Sequence, residues 1–143
     1  MEQNRLSRDS IGKLCEMALG MRSRSYAPYS HFRVGAALLA KDGRIFTGCN
    51  VENAGFPAGC CAEKTAFAKA VSEGAREFTA IAISGGPEDG TLQYCPPCGV
   101  CRQFMSEFCR GDFLIILTKT PDDYEVHTLD ELMPMRFTPK NLL

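Results

Sequence analysis

A chain of 143 residues, 45% of them hydrophobic, is the size of one globular domain and can bury roughly two-thirds of its unfolded surface. Its 16 Lys and Arg stand against 17 Asp and Glu for a net charge of −1, with bases and acids interleaved, which argues against a nucleic-acid partner. The longest apolar runs, Val34 to Ala40 and Phe113 to Leu117, fall far short of the ~18 residues a membrane span needs. The polar start Met1-Glu2-Gln3-Asn4-Arg5 lacks the apolar centre of a secretory signal, so the expected location is cytoplasmic.

In chain order, Ile11, Leu14, Cys15, Ala18 and Leu19 recur at helical spacing between Ser7 and Met21, with Ser7 as the cap. After the turn-rich Tyr26-Ala27-Pro28-Tyr29-Ser30, strands are predicted over Phe32 to Ala40 and Arg44 to Val51. They flank Lys41-Asp42-Gly43, whose Asp-Gly pair favours a tight antiparallel hairpin. A loop with Gly55, Pro57 and Gly59 leads to a helix over Cys61 to Glu73, stopped by Gly74. Phe78 to Ser84 reads as a buried strand, Gly85 to Tyr94 as loop, Cys98 to Cys109 as a helix and Phe113 to Thr118 as a second buried strand. Two strands joined by a helix imply a parallel crossover. Lys119 to Asp123 links to a last strand, Tyr124 to Thr128, and Leu129 to Leu132 adds one turn of helix. The sum is a single α/β domain over residues 1–143, a three-layer α/β/α arrangement around a mixed five-stranded sheet.

Eight cysteines in a chain without an export signal read as reduced thiols, some of them metal ligands. Cys98 and Cys101, three residues apart at a helix start, can grip one ion, and Cys61 supplies a third sulfur. Three protein ligands leave one tetrahedral position open, as in catalytic zinc. Glu63 is the candidate proton carrier. Positions 61 and 63 lie about 200° apart on a regular helix, so both face one site only if Cys61 occupies an irregular first turn. Both ligand segments open helices, where the macrodipole favours thiolates.

Other readings compete with this one. Cys-x-x-Cys alone also marks structural zinc and redox pairs, and Cys60, Cys61, Cys98 and Cys101 could close a four-sulfur structural site. Cys95, Cys98 and Cys101 open a ferredoxin-like pattern, but the position of its fourth cysteine holds Met105. Cys15, Cys49, Cys95 and Cys109 read as incidental or buried thiols, His31 and His127 as structural residues. Phe32 and Phe137 could be simple core aromatics.

Cys61-Ala62-Glu63 followed by Pro97-Cys98-Gly99-Val100-Cys101 resembles the signature of the zinc deaminases. The segments Tyr29 to Ala37, Gly48 to Ala54, Ala70 to Gly74 and Leu132 to Phe137 extend the resemblance, over nearly the whole chain, to the small homotetrameric cytidine deaminases. The resemblance implies one Zn²⁺ per subunit on Cys61, Cys98 and Cys101, and a zinc-activated water whose protons Glu63 shuttles. It also implies a pyrimidine nucleoside as the small-molecule partner, held by Phe32, by the backbone N–H of Ala62, and by Asn50 and Glu52 at the sugar 3′-hydroxyl. Phe137 would reach into the site of a neighbouring subunit of a homotetramer. Cytidine and 2′-deoxycytidine would be hydrolysed in pyrimidine salvage, with no nucleic-acid or membrane partner. Lys64 departs from the family, which commonly has an arginine there hydrogen-bonded to the zinc thiolates. A deaminase for another aminopyrimidine, such as the antibiotic blasticidin S, is the nearest rival.

Overall fold

A computed structural model describes residues 6–143; the polar start at Met1 to Arg5 lies outside them. Helix α1 spans Arg8–Met21, and Ser7 caps it by accepting from the Ser10 N–H at 3.1 Å. Strand β1 (Phe32–Ala40) and β2 (Ile45–Cys49) form the expected antiparallel hairpin. Gly43 closes it at φ 98°, a left-handed conformation that costs glycine little, while Asp42 Oδ1 accepts from the Arg44 N–H. Helix α2 (Ala62–Ser72) ends at Gly74, φ 97°, where the Ala75 N–H donates to Ala70 O and the Gly74 N–H to Val71 O.

Strand β3 (Phe78–Pro87), helix α3 (Gly99–Phe108) and strand β4 (Leu114–Thr120) make the parallel crossover, and β5 (Asp123–Thr128) returns antiparallel to β4. Helix α4 (Leu129–Leu132) starts on a Thr128–Glu131 capping box. Sheet order is β2-β1-β3-β4-β5. Alternation sorts its two faces: Ala37, Ala80, Ala82 and Ile116 pack on α1, while Ala36, Leu38, Ile81, Ile83, Ile115 and Leu117 join the core beneath α2 and α3. The expected three-layer α/β/α architecture with a mixed five-stranded sheet is therefore what the chain adopts. Among the described residues no helix is long and apolar enough to cross a membrane.

Several boundaries differ from expectation; β4, for one, runs on to Thr120 rather than ending at Thr118. Strand β3 runs on through Gly85 and Gly86 to Pro87, because β1 offers a full antiparallel partner as far as Phe32↔Pro87, and pairing overrides the loop-like composition. Residue 85 must also be small, since a Cβ there would lie 2.6 Å from Cys95 Sγ. Strand β2 stops at Cys49, and Val51 instead bridges both Tyr26 and Cys60.

Two packing features aim the helix starts. Phe67, fully buried on α2, stands 5.9 Å from Phe104 and 6.5 Å from Phe108 on α3, which fixes one helix against the other. Gly48 of β2 lets the first turn of α2 rest on the sheet: a Cβ there would lie 2.4 Å from Ala62 O and 2.7 Å from Ala66 N, both backbone atoms. Gly48→Ala must push that turn outward at a cost of about 1–3 kcal/mol. Thermal unfolding should show Tm lowered by several degrees, and metal analysis fewer ions bound per chain. Unchanged values of both would show that the α2 start tolerates the shift.

Candidate metal centre and cavity

Cys61 and Cys98 are both N-cap residues with extended backbone, φ −73°, ψ 156° and φ −69°, ψ 169°. Neither side chain caps its own helix, so both sulfurs are available elsewhere. Cys98, expected inside the helix, thus precedes α3 as its N-cap, and the adjoining Pro97 is buried. Cys101 sits at the third position of α3, fully enclosed. The Cys61 and Cys98 sulfurs are 3.5 Å apart, and all three sulfurs lie within 4.8 Å of one another. Among the described residues this is the group whose ligand atoms converge enough to hold a metal ion.

The irregular start required for Cys61 and Glu63 to share a site is present: Cys61 is extended and Glu63 is in the first turn of α2. Glu63 is 4% exposed. Burial raises its pKa to about 7, the charge at Cys61 adds to the rise, and the Cys101 thiol partly offsets it. At Cys61 the hydrogen bond from Cys101 dominates and lowers the pKa to about 6, with Cys98 and the Lys64 ammonium assisting and burial opposing. The same bond, together with burial and the charge on Glu63, pushes Cys101 the other way, so of this pair it is Cys61 that favours the thiolate. A third thiolate there needs a cation. Three sulfurs convergent on one point, two helix N-termini behind them and the buried carboxyl of Glu63 alongside fit one zinc ion with an open position.

Cys61 and Cys98 of the cluster line a cavity of about 660 Å³, with Cys101 buried behind them. Phe32, Asn50, Glu52, Ala62 and Glu63, expected around a substrate, all line it. Asn50 is anchored: its Oδ1 accepts from the Val34 N–H at 2.9 Å and its Nδ2 donates to Phe32 O at 2.8 Å. Both oxygens of Glu52 face the loop before β1, bonded to the Tyr29 and Ser30 amides and to the Ser30 hydroxyl. Phe137, 55% exposed, is absent from the lining, and its carbonyl accepts from Gln103 Nε2. Lys64 is half-buried beside the cluster.

Cys60 and Cys95, weighed as cluster sulfurs, also line the cavity but stand outside the convergent group; Tyr29, Ser30 and Phe56 line it too, with no role assigned to them from sequence. Their signals were weak. Tyr29 and Ser30 lie in a segment that reads as a turn, and the ring of Phe56 meets that of Tyr29 edge-on at 6.0 Å across 27 positions of sequence.

A family model for the cytidine and deoxycytidylate deaminase zinc-binding region matches residues 8–117. A cytidine deaminase of Sporosarcina psychrophila is 45% identical over 92% of this chain and 94% of its own length. One from Halalkalibacterium halodurans is 43% identical over 90% and 95%. The crystal structure of a cytidine deaminase from Burkholderia pseudomallei superposes with a TM-score of 0.78 at 43% identity, covering 87% of this chain and 97% of that one.

The burial of Glu63 carries a stability consequence. In the metal-free fold its carboxyl stays protonated to about pH 7, while the unfolded chain ionises near 4.5. Its contribution is therefore fully present below pH 4.5 and is lost as pH rises through 7. Without metal, Glu63→Gln should gain on the parent by on the order of 3 kcal/mol between pH 4 and pH 8. Denaturant unfolding at the two pH values would show a constant difference if the carboxyl were solvated instead.

Proposed function

The chain belongs to the cytidine and deoxycytidylate deaminase zinc-binding family, and we propose on that footing that it hydrolyses free cytidine and 2′-deoxycytidine to uridine and 2′-deoxyuridine, releasing ammonia. The observation that carries the reading is a three-cysteine metal cluster sharing one cavity with a buried carboxylate of pKa about 7. In this reading residues 1–143 act as one deaminase domain in the cytoplasm, in pyrimidine salvage, on a nucleoside rather than a nucleic acid.

Zinc on Cys61, Cys98 and Cys101 supplies a Lewis acid that acidifies water. Glu63 accepts a proton from the water that attacks the ring carbon bearing the amino group, and delivers it to ring N3. It then takes the proton of the newly added hydroxyl and hands it to the amino nitrogen, which leaves as ammonia. A pKa near 7 suits a group that must both accept and donate at neutral pH. Ala62, first residue of α2, has a backbone N–H with no partner within the helix, ready for the ring carbonyl. Phe32 packs on the nucleoside, and Asn50 with Glu52 binds the sugar 3′-hydroxyl. The second Nδ2 hydrogen of Asn50 remains available for that purpose.

Exposure of Phe137 away from its own cavity supports a homotetramer in which it completes a neighbour's site. Ammonia release should be comparable for cytidine and 2′-deoxycytidine and nearly absent for cytidine monophosphate, whose phosphate Glu52 repels; an activity profile led by another aminopyrimidine would reject the assignment. Glu63→Gln should retain one zinc per chain and lose at least ~10²-fold in kcat. Mixed with Phe137→Ala, itself raised in KM, it should regain activity through sites that combine intact halves.

Lys64 supports the cluster by charge, since its ammonium is among the groups that favour the Cys61 thiolate. Lys64→Gln should keep zinc and turn over more slowly, with the acidic limb of the pH–rate profile moved upward. Lys64→Arg should recover the parent rate through its charge and added donors. Superimposable profiles for all three proteins would place Lys64 outside the site.

A further inference from the structure

The cavity wall opposite the cysteine cluster is held by a hydrogen-bond network that centres on Ser30. Its hydroxyl donates to Glu52 Oε2, and its oxygen accepts from the Phe32 N–H at 3.1 Å. Glu52 Oε1 meanwhile accepts from the Tyr29 and Ser30 N–H groups, each at 3.1 Å. A carboxylate offers about four acceptor directions, two per oxygen. Three are filled from the Tyr29–Ser30 turn, and Oε2 keeps one. Glu52 and Ser30 both line the cavity, so that direction serves a single hydroxyl donor there.

We infer that Ser30 is the positioning residue of the sugar subsite: it fixes the Glu52 carboxylate so that one acceptor remains for one hydroxyl, and sets the Phe32 backbone in the same stroke. The inference rests on the reading that Glu52 binds the sugar. Ser30 donates one hydrogen bond to Glu52 and accepts one from the Phe32 N–H, so its hydroxyl ties the carboxylate to the start of β1. The turn is further pinned by the His31 N–H donating to Ala27 O, with His31 in the left-handed region at φ 56°. Removing the hydroxyl therefore leaves the turn in place, while freeing the carboxylate to rotate and leaving the Phe32 N–H to solvent. Such a loss weakens substrate binding rather than chemistry, because Glu63 and the cysteines are untouched.

The test compares Ser30→Ala, Ser30→Thr and Glu52→Gln on 2′-deoxycytidine and on 2′,3′-dideoxycytidine, which lacks the 3′-hydroxyl. Residue 30 is exposed, so both substitutions there have room. Ser30→Ala should raise KM for 2′-deoxycytidine roughly tenfold at nearly constant kcat, leave KM for the dideoxy compound within about twofold, and be rescued by threonine. Glu52→Gln should raise KM for the same substrate. An unchanged KM in Glu52→Gln overturns the sugar reading and the Ser30 assignment with it. A raised KM in Glu52→Gln beside an unchanged KM in Ser30→Ala overturns the Ser30 assignment alone, as would an equal rise on both substrates, which marks general damage to the turn.

Discussion

Three cysteine sulfurs within 4.8 Å of one another impose the constraint around which the rest of the molecule is arranged. Three thiolates at that spacing repel strongly, and between Cys61 and Cys101 the negative charge is favoured on Cys61. A divalent cation removes the repulsion. Until it binds, the fold must hold the sulfurs together by other means, and it does so with backbone. Two helix N-termini converge on the cluster, and they converge because Phe67 locks α2 to α3 while Gly48 lets α2 lie flat on β2. The same convergence buries Glu63 and lifts its pKa to about 7. The convergence of the sulfurs and the raised pKa of Glu63 thus share one structural cause.

Much of this was legible in the chain. Asp42-Gly43 marked the β1–β2 hairpin, Gly74 the end of α2, and apolar alternation the buried strands, because each is a local rule satisfied locally. The metal ligands and Glu63 were legible for a different reason: their chemistry demands particular residue types at fixed spacing, and the spacing also anticipated the irregular start of α2. The far wall of the cavity was not. Ser30 and Glu52 are 22 positions apart, Tyr29 and Phe56 are 27, and no local rule relates them. The last three residues of β3 were obscured for a related reason. Gly85-Gly86-Pro87 has the composition of a loop, and only the presence of β1 alongside makes it strand.

The two walls of the cavity differ in kind. On one side, rigid elements present the cysteines and Glu63 from helix starts; on the other, side-chain hydrogen bonds hold a turn that carries Tyr29, Ser30 and Phe32. Backbone packing fixes chemistry to within a fraction of an ångström. A hydrogen-bonded turn can be retuned by single substitutions without disturbing the core.

The N-cap positions of α2 and α3 carry a conflict between stability and function. Serine at either position would bond the open amides of the first helical turn and firm up each helix by ~1 kcal/mol, whereas cysteine leaves them uncapped. A search for thermostable variants would therefore be drawn toward replacing Cys61 or Cys98 with serine, gaining rigidity while removing a metal ligand. The uncapped amides are the counterpart of that sacrifice: at the start of α2, Ala62 lines the cavity, and an anionic or carbonyl oxygen arriving there satisfies what the helix itself leaves open.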